Sequence, residues 1–320
     1  MVLNFFNIYN IKDIEIEYPD IYFTPEYGKL CEFSDNAQWE LCKFKDLIYV
    51  YLKKENVYEE ITYYDLITPN GYAGYYYENQ DTYNEFIPLF REDAKKRNYI
   101  TEVVRQNPYI GIEITGYDII TSKTIYGCNY ENKDEYLNKL KSNERNMIKK
   151  GIKNNLKMDY SLIKKNDLSN DSTFRQLYIK NMDIVNSTKY YYFNNEYFKQ
   201  LETFENLILV KIYNNEKIIG NSLFFCFNNF IHYHLSCNDR SSNCITDFIL
   251  YSVIDKLCNK QTLLILGGGL KDGDSLSKFK NKISNKSFEY TIYKNIINNE
   301  IYEKLSKNIN TNYFPAYKKN

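Results

Sequence analysis

Residues 263–280 read LLILGGGLKDGDSLSKFK. Leu263, Leu264, Ile265 and Leu266 make an apolar run of strand length, and three successive glycines stop it. A short helix is then expected over residues 274–281. A buried strand that passes through glycines into a helix is an α/β unit. The flanks continue the pattern. Upstream lies a helix over 243–258, and before it strands at 207–213, 217–227 and 230–236. Asn214-Asn215 supplies a hairpin turn for that antiparallel meander. Downstream, residues 288–293 read as a last strand.

The first half is built in the same style. Strands at 39–44, 47–52 and 60–66 lead into the loop Thr68-Pro69-Asn70-Gly71-Tyr72-Ala73-Gly74. A helix follows over 85–97, with Asn84 as its cap and Pro88 in its first turn, and then a strand at 99–104 that ends at Asn107-Pro108. Residues 133–157 read as one helix, with Leu137, Leu140, Met147, Ile148 and Ile152 as its apolar stripe. From Lys139 onward, Lys139, Lys141, Arg145, Lys149, Lys150, Lys153 and Lys157 take other positions against the single acid Glu144. A strand at 159–163 and a polar joint at 167–172 precede helices at 173–183 and 195–204. A length of 320 residues suggests two domains, placed at 1–165 and 166–320.

Bulk properties narrow the function classes only a little. Hydrophobic residues make up 43% and aromatics 17%, ample for two cores, so the chain is no disordered tail. Lys+Arg and Asp+Glu both number 41, so attraction to a polyanion must come from a local patch. Seven scattered cysteines without a CxxC pair point to reduced thiols in a cytoplasmic protein, and no metal site is expected. The first twenty residues carry acids within their apolar stretch and lack a basic region, unlike a secretory signal. No apolar run is long enough for an integral membrane segment.

Several separated segments, in order, resemble the Fem family of double-GNAT transferases. They are Tyr64-Asp65 with Pro69 and Gly71-Tyr72-Ala73-Gly74; Val104-Arg105-Gln106-Asn107-Pro108, where Gln106 replaces an expected aromatic; and Phe174-Arg175-Gln176-Leu177-Tyr178 with Tyr191-Tyr192-Phe193. His234-Leu235-Ser236, Leu266-Gly267-Gly268-Gly269 and Ser275-Leu276 through Phe279-Lys280 follow. The resemblance implies an α/β (α+β) fold of two tandem GNAT-like domains. It also implies transfer of an acyl or aminoacyl group to a primary amine of a cell-envelope precursor, UDP-linked or lipid-linked, such as a peptidoglycan peptide or an amino sugar. By the same resemblance no tightly bound cofactor is expected, and the co-substrate would be an aminoacyl-tRNA or an acyl-CoA. The rival readings are an acyl-CoA-dependent enzyme of polysaccharide biosynthesis and a non-catalytic double-GNAT binding module.

Each candidate residue has a chemical role and a plainer alternative. Gly71 and Gly74 can expose amides to a phosphate, with Tyr72 lining the pocket, or can simply permit a tight loop. Gly267, Gly268 and Gly269 let a ligand approach the backbone or make a strand-to-loop turn. Lys280 can stabilise an acyl oxyanion, or be an exposed helix lysine. His234 is a candidate base, although amide formation does not strictly require one. Arg105 can clamp a phosphate or form an internal ion pair. Arg145, Lys149, Lys150 and Lys153 can hold tRNA phosphates or form a solvated face. The stretch Asn238-Asp239-Arg240-Ser241-Ser242-Asn243 lacks the glycines of an ordinary CoA loop. The helical arm of some Fem proteins has no counterpart between Thr173 and Cys258.

Overall fold

The computed structural model describes residues 2–319. In chain order the elements are β1 Asn4–Phe6, α1 Pro25–Asp35, β2 Gln38–Phe44, β3 Leu47–Tyr58, β4 Ile61–Ile67, β5 Gly74–Tyr76, α2 Gln80–Lys96, β6 Tyr99–Arg105 and β7 Asp118–Cys128. Then come α3 Lys133–Lys139, α4 Ser142–Lys153, β8 Lys157–Leu162, α5 Thr173–Ile184, α6 Asn195–Leu201, β9 Leu207–Asn214, β10 Lys217–Phe227 and β11 Phe230–Asn238. The chain closes with α7 Ile245–Leu257, β12 Leu263–Gly267, α8 Ser275–Ile283, β13 Lys286–Ile296 and α9 Asn299–Ser306.

These elements form two compact units, 1–122 with 289–320, and 123–288. They do not divide near residue 165. Strand pairing is the reason: the end of β7 pairs with β12, while β13 pairs with β6 through Ile292↔Arg105 to Ile296↔Thr101. The chain therefore leaves unit 1 within β7 and returns to it within β13.

In unit 1 the strand order is β1-β2-β3-β4-β6-β13, with β5 on the first half of β3; β4 and β6 run parallel. Its core is aromatic. Tyr49, Tyr51, Tyr75, Tyr83, Phe86, Phe90 and Tyr99 are buried together, and Glu102, fully buried, accepts from the hydroxyls of Tyr75 and Tyr117. Burial of Glu102 raises its pKa, against the pull of those hydroxyl donors. In unit 2 the order is β7-β12-β11-β10-β9-β8, parallel at β11–β12, with α3, α4 and α7 packed on an aliphatic core.

Two helices differ from the sequence reading. α2 begins at Gln80, capped by Asn79, because the Asp46 carboxylate accepts from Glu78 N and Asn79 N and organises the entry. Pro88 is thus interior. The buried stripe Tyr83, Phe86, Phe90 and Ala94 outweighs the ~3 kcal/mol cost of an interior proline. The single helix expected over 133–157 is broken at Leu140, whose backbone is extended, into α3 and α4. Arg145 turns its guanidinium onto the carbonyls of Leu137 and Leu140 and so closes the end of α3.

Candidate active site

β11 carries the main irregularity of unit 2. Its register with β10 pairs Leu223 with Leu235 and Phe224 with Tyr233, leaving His234 as an extra residue. Such a β-bulge re-aims side chains. Tyr233 and Ser236 consequently share a face with Ser222, whose hydroxyl lies 2.7 Å from that of Ser236. Burial pushes the Tyr233 phenol up to about 12, against the hydrogen bonds from Ser236 and Ser222. On its other side β11 pairs with β12 from Phe230↔Leu263 to His232↔Ile265, where the ladder ends. Past this point both strands run on without pairing to each other, β11 to Asn238 and β12 to Gly267, and the gap between them is the candidate seam. The α7 crossover starts at Ile245, against Gly220 of β10, with no side-chain cap on its first turn.

The glycines of β12 meet this seam under tight constraint. Gly267 has φ +73°, and a Cβ on Gly268 would lie 2.8 Å from the carbonyl oxygen of Thr124. A Cβ on Gly269 would stand 2.2 Å from Oδ1 of Asp274. Asp274 needs that closeness: its carboxylate accepts from Leu270 N at 2.8 Å, Lys271 N at 3.1 Å and Ser277 N at 2.7 Å. These backbone donors hold its carboxyl below the usual range. Asp272 accepts from Thr124 N, and Lys123 donates to Leu270 O. Lys280 is not the exposed helix lysine that a sequence suggests. It is 8% exposed, donates its Nζ to Gly268 O at 2.7 Å, and burial lowers its pKa to about 8.

His234 is half-buried, with Nε2 2.9 Å from the hydroxyl of Tyr197 and Phe225 at its edge. Burial, then the neighbouring His232, depress its pKa to about 3. The ring is therefore neutral at physiological pH and too weak a base to take a proton from an ammonium group. Replacement of His234 by glutamine is expected to keep at least about a third of any transfer rate, with no titration near pH 6.5 removed from the pH–rate profile. Loss of 10²-fold or more would restore His234 as the base.

The other expected residues lie elsewhere. In unit 1, a Cβ on Gly71 (φ +119°) would clash with the Tyr22 ring at 2.4 Å, and one on Gly74 (φ +95°) would meet Gln106 at 2.5 Å. Tyr72 packs edge-on against Tyr22, Tyr109 and Tyr290, and burial raises its pKa. Gln106 departs from the expected aromatic for a visible reason: its amide accepts from Tyr75 N and donates to Tyr75 O, doing the work of a strand partner. Arg105 donates to the Thr68 carbonyl at 2.8 Å. On α4 of unit 2, Lys149, Lys150 and Lys153 are exposed, and Lys150 donates to Asn243 at the entry to α7. Arg145, one turn before Lys149, spends its guanidinium on the carbonyls of Leu137 and Leu140. Sequence reasoning missed Ser222, Tyr233, Ser236 and the clamp role of Asp274. Only the strand alternation could have flagged the first three, and the bulge breaks it.

Solved structures share this architecture. FemX matches with a TM-score of 0.65 at 13% identity, over 89% of this chain and 94% of its own. The fold is similar to that of FemX. The lysylphosphatidylglycerol synthetase of Bacillus licheniformis matches at TM-score 0.54 and 10% identity, over 82% and 85% of the two chains. The C-terminal domain of a putative lysylphosphatidylglycerol synthetase from Agrobacterium fabrum matches at 0.51 and 11%, over 86% and 88%. No protein-family model and no curated protein sequence matches the chain. The FemX-like, double-GNAT architecture expected from the scattered motifs is thus present, at identities that speak for the fold alone. Among the described residues no helix is long and apolar enough to cross a membrane.

Proposed function

We propose that this chain is an acyltransferase of the Fem type, moving an acyl or aminoacyl group onto a primary amine of a cell-envelope precursor at the seam of unit 2. The observation that carries the reading is the parted pair β11–β12, bulged at His234 and closed by a glycine loop that Lys280 braces from beneath. In such a transfer the neutral amine attacks the acyl carbon. The carbonyl oxygen gains charge, and collapse expels the donor's thiolate or ribose oxygen, which leaves with the proton lost by the amine. Backbone amides at parted strands and the ammonium of Lys280 are suited to that developing charge.

The donor read as best supported is an aminoacyl-tRNA. In the 238–243 loop the amides that would cradle a pyrophosphate are already taken: Arg240 N by Asn238 Oδ1 and Ser241 N by Asp239 Oδ1. Asp239 adds a negative charge there. The exposed lysines of α4 adjoin α7 and suit a phosphate backbone. The second reading, an acyl-CoA donor, draws on the uncapped first turn of α7, whose free amides attract an anion.

Thermal stabilisation separates the two. Aminoacyl-tRNA should raise the melting temperature of the wild type, and simultaneous reversal of Lys149, Lys150 and Lys153 to glutamate should lower the slope of log K against log salt by about 2–3. A shift with acyl-CoA alone, and an unchanged RNA slope in the triple variant, would select the CoA donor. No shift with either, and no turnover with UDP-linked or lipid-linked acceptors, would leave a binding module.

A further inference from the structure

On the outward face of α8, away from Lys280, unit 2 holds a groove of about 520 Å³ lined by Glu144, Met147, Asp247, Ser275, Phe279 and Lys282, among others. Ser275, Phe279 and Lys282 fall on one stripe of α8, whereas Ser277 and Lys280 occupy the opposite, buried side. Glu144 from α4 and Asp247 from α7 bring two carboxylates to the floor, at 8% and 7% exposure. Glu144 Oε2 is shut off from solvent and has no hydrogen-bond partner. The nearest cation, the Lys282 ammonium, is 3.7 Å from the other oxygen, beyond hydrogen-bond reach, on a side chain that is mostly exposed.

A buried carboxylate oxygen with no donor is costly, and native structures rarely keep one without a use. The groove offers what its missing partner would need. A primary ammonium carries three N–H donors, enough to serve Asp247 and, with a turn of the Glu144 carboxylate toward the groove, Oε2 as well. Met147 and Phe279 supply an apolar wall for the alkyl stem behind such a head. A bare divalent ion fits less well, because it takes a nearly complete shell of oxygens and no third carboxylate joins these two among the described residues.

We propose that this groove binds a small organic primary ammonium, with its charged head between Glu144 and Asp247 and its stem against Met147 and Phe279. This site is separate from the transfer seam and does not rest on the function assigned there. Binding is read directly, so its failure leaves the transfer reading untouched.

The test is calorimetric titration of the full chain with n-pentylammonium chloride, alongside 1-pentanol, magnesium chloride and L-norleucine at matched ionic strength. Saturable binding of pentylammonium, absent with pentanol and weakened at least tenfold in Glu144→Gln, supports the site. Ser275→Phe, which fills the groove from its exposed rim and leaves both acids in place, should weaken binding likewise and guards against misfolding of the first variant. Tighter binding of norleucine would extend the site to amino acids whose carboxylate meets Lys282; tighter binding of pentylammonium would restrict it to plain amines. No saturation, an equal response to pentanol, a stronger response to magnesium, or wild-type affinity in both variants overturns the proposal.

Discussion

Lys280→Met is expected to make the protein more stable and the proposed transfer far slower. Lysine and methionine have similar length, so packing beneath the Gly268 loop changes little, but the buried charge disappears. In the folded chain burial brings the amine from 10.5 down to about 8. The unfolded chain therefore holds the proton more tightly, and the cost of charging Lys280 is present in full below about pH 8. That cost, on the order of 3 kcal/mol, fades as pH climbs toward 10.5. The lost hydrogen bond to Gly268 O returns about 1 kcal/mol, leaving a net gain of roughly 1–2 kcal/mol at pH 7. Denaturant melts at pH 7 and pH 10 should show the methionine variant ahead at the first and level with wild type at the second. Turnover should fall roughly 10²–10³-fold, as when one oxyanion donor is removed. Lys280→Arg, which cannot lose its proton, should shift the upper limb of the pH–rate profile away from pH 8; an unmoved limb would assign Lys280 a bracing role only.

Gly28→Val should be among the most damaging single changes in unit 1. Gly28 lies inside α1, where glycine costs about 1 kcal/mol relative to alanine. It is kept because the Trp39 indole, fully buried on β2, lies across it: a Cβ there would stand 2.3–2.5 Å from three atoms of the ring. Neither partner has room to retreat, since Glu32 of α1 accepts from Trp39 N at 2.7 Å and pins helix to strand. A loss of about 3 kcal/mol is expected, or roughly 6–12 °C in melting temperature. A shift under 2 °C would mean that the helix and strand slide apart more easily than this contact implies.

Where local pattern and tertiary packing agreed, the sequence was legible. β10 was bounded to the residue by its apolar run and the Asn214-Asn215 turn, and the Leu263 strand, its glycines and the short helix after them appear where they were expected, although the cap on Asp274 was not foreseen. Where a distant contact decided, local reasoning failed. The start of α2 depends on Asp46, more than thirty residues upstream. The break at Leu140 is a local one, closed by Arg145 five residues on, and was hidden because the apolar stripe runs through it unbroken. β7 went unread because its polar, β-branched run Ile119 to Thr124 has an exposed first half with no apolar face to betray it. Within the candidate site the glycines and Lys280 could be picked out by type. That Lys280 is buried could not, because only the turn of α8 decides which lysine of its three faces inward.

The path of the chain through its two units has a kinetic consequence. Unit 2 is one unbroken stretch of sequence, nested inside unit 1. Unit 1 lacks its sixth strand in line until β13 exists, and contacts such as that between Glu102 and Asn295 join residues 193 positions apart. A chain emerging from the ribosome can therefore complete the nested unit while the sheet that began first still stands open at β6. Closing that sheet with unit 2 already folded replaces a long floppy loop by a compact insert, which lowers the entropy lost on closure. During synthesis the exposed edge of β6 is the part of this molecule most in need of a chaperone.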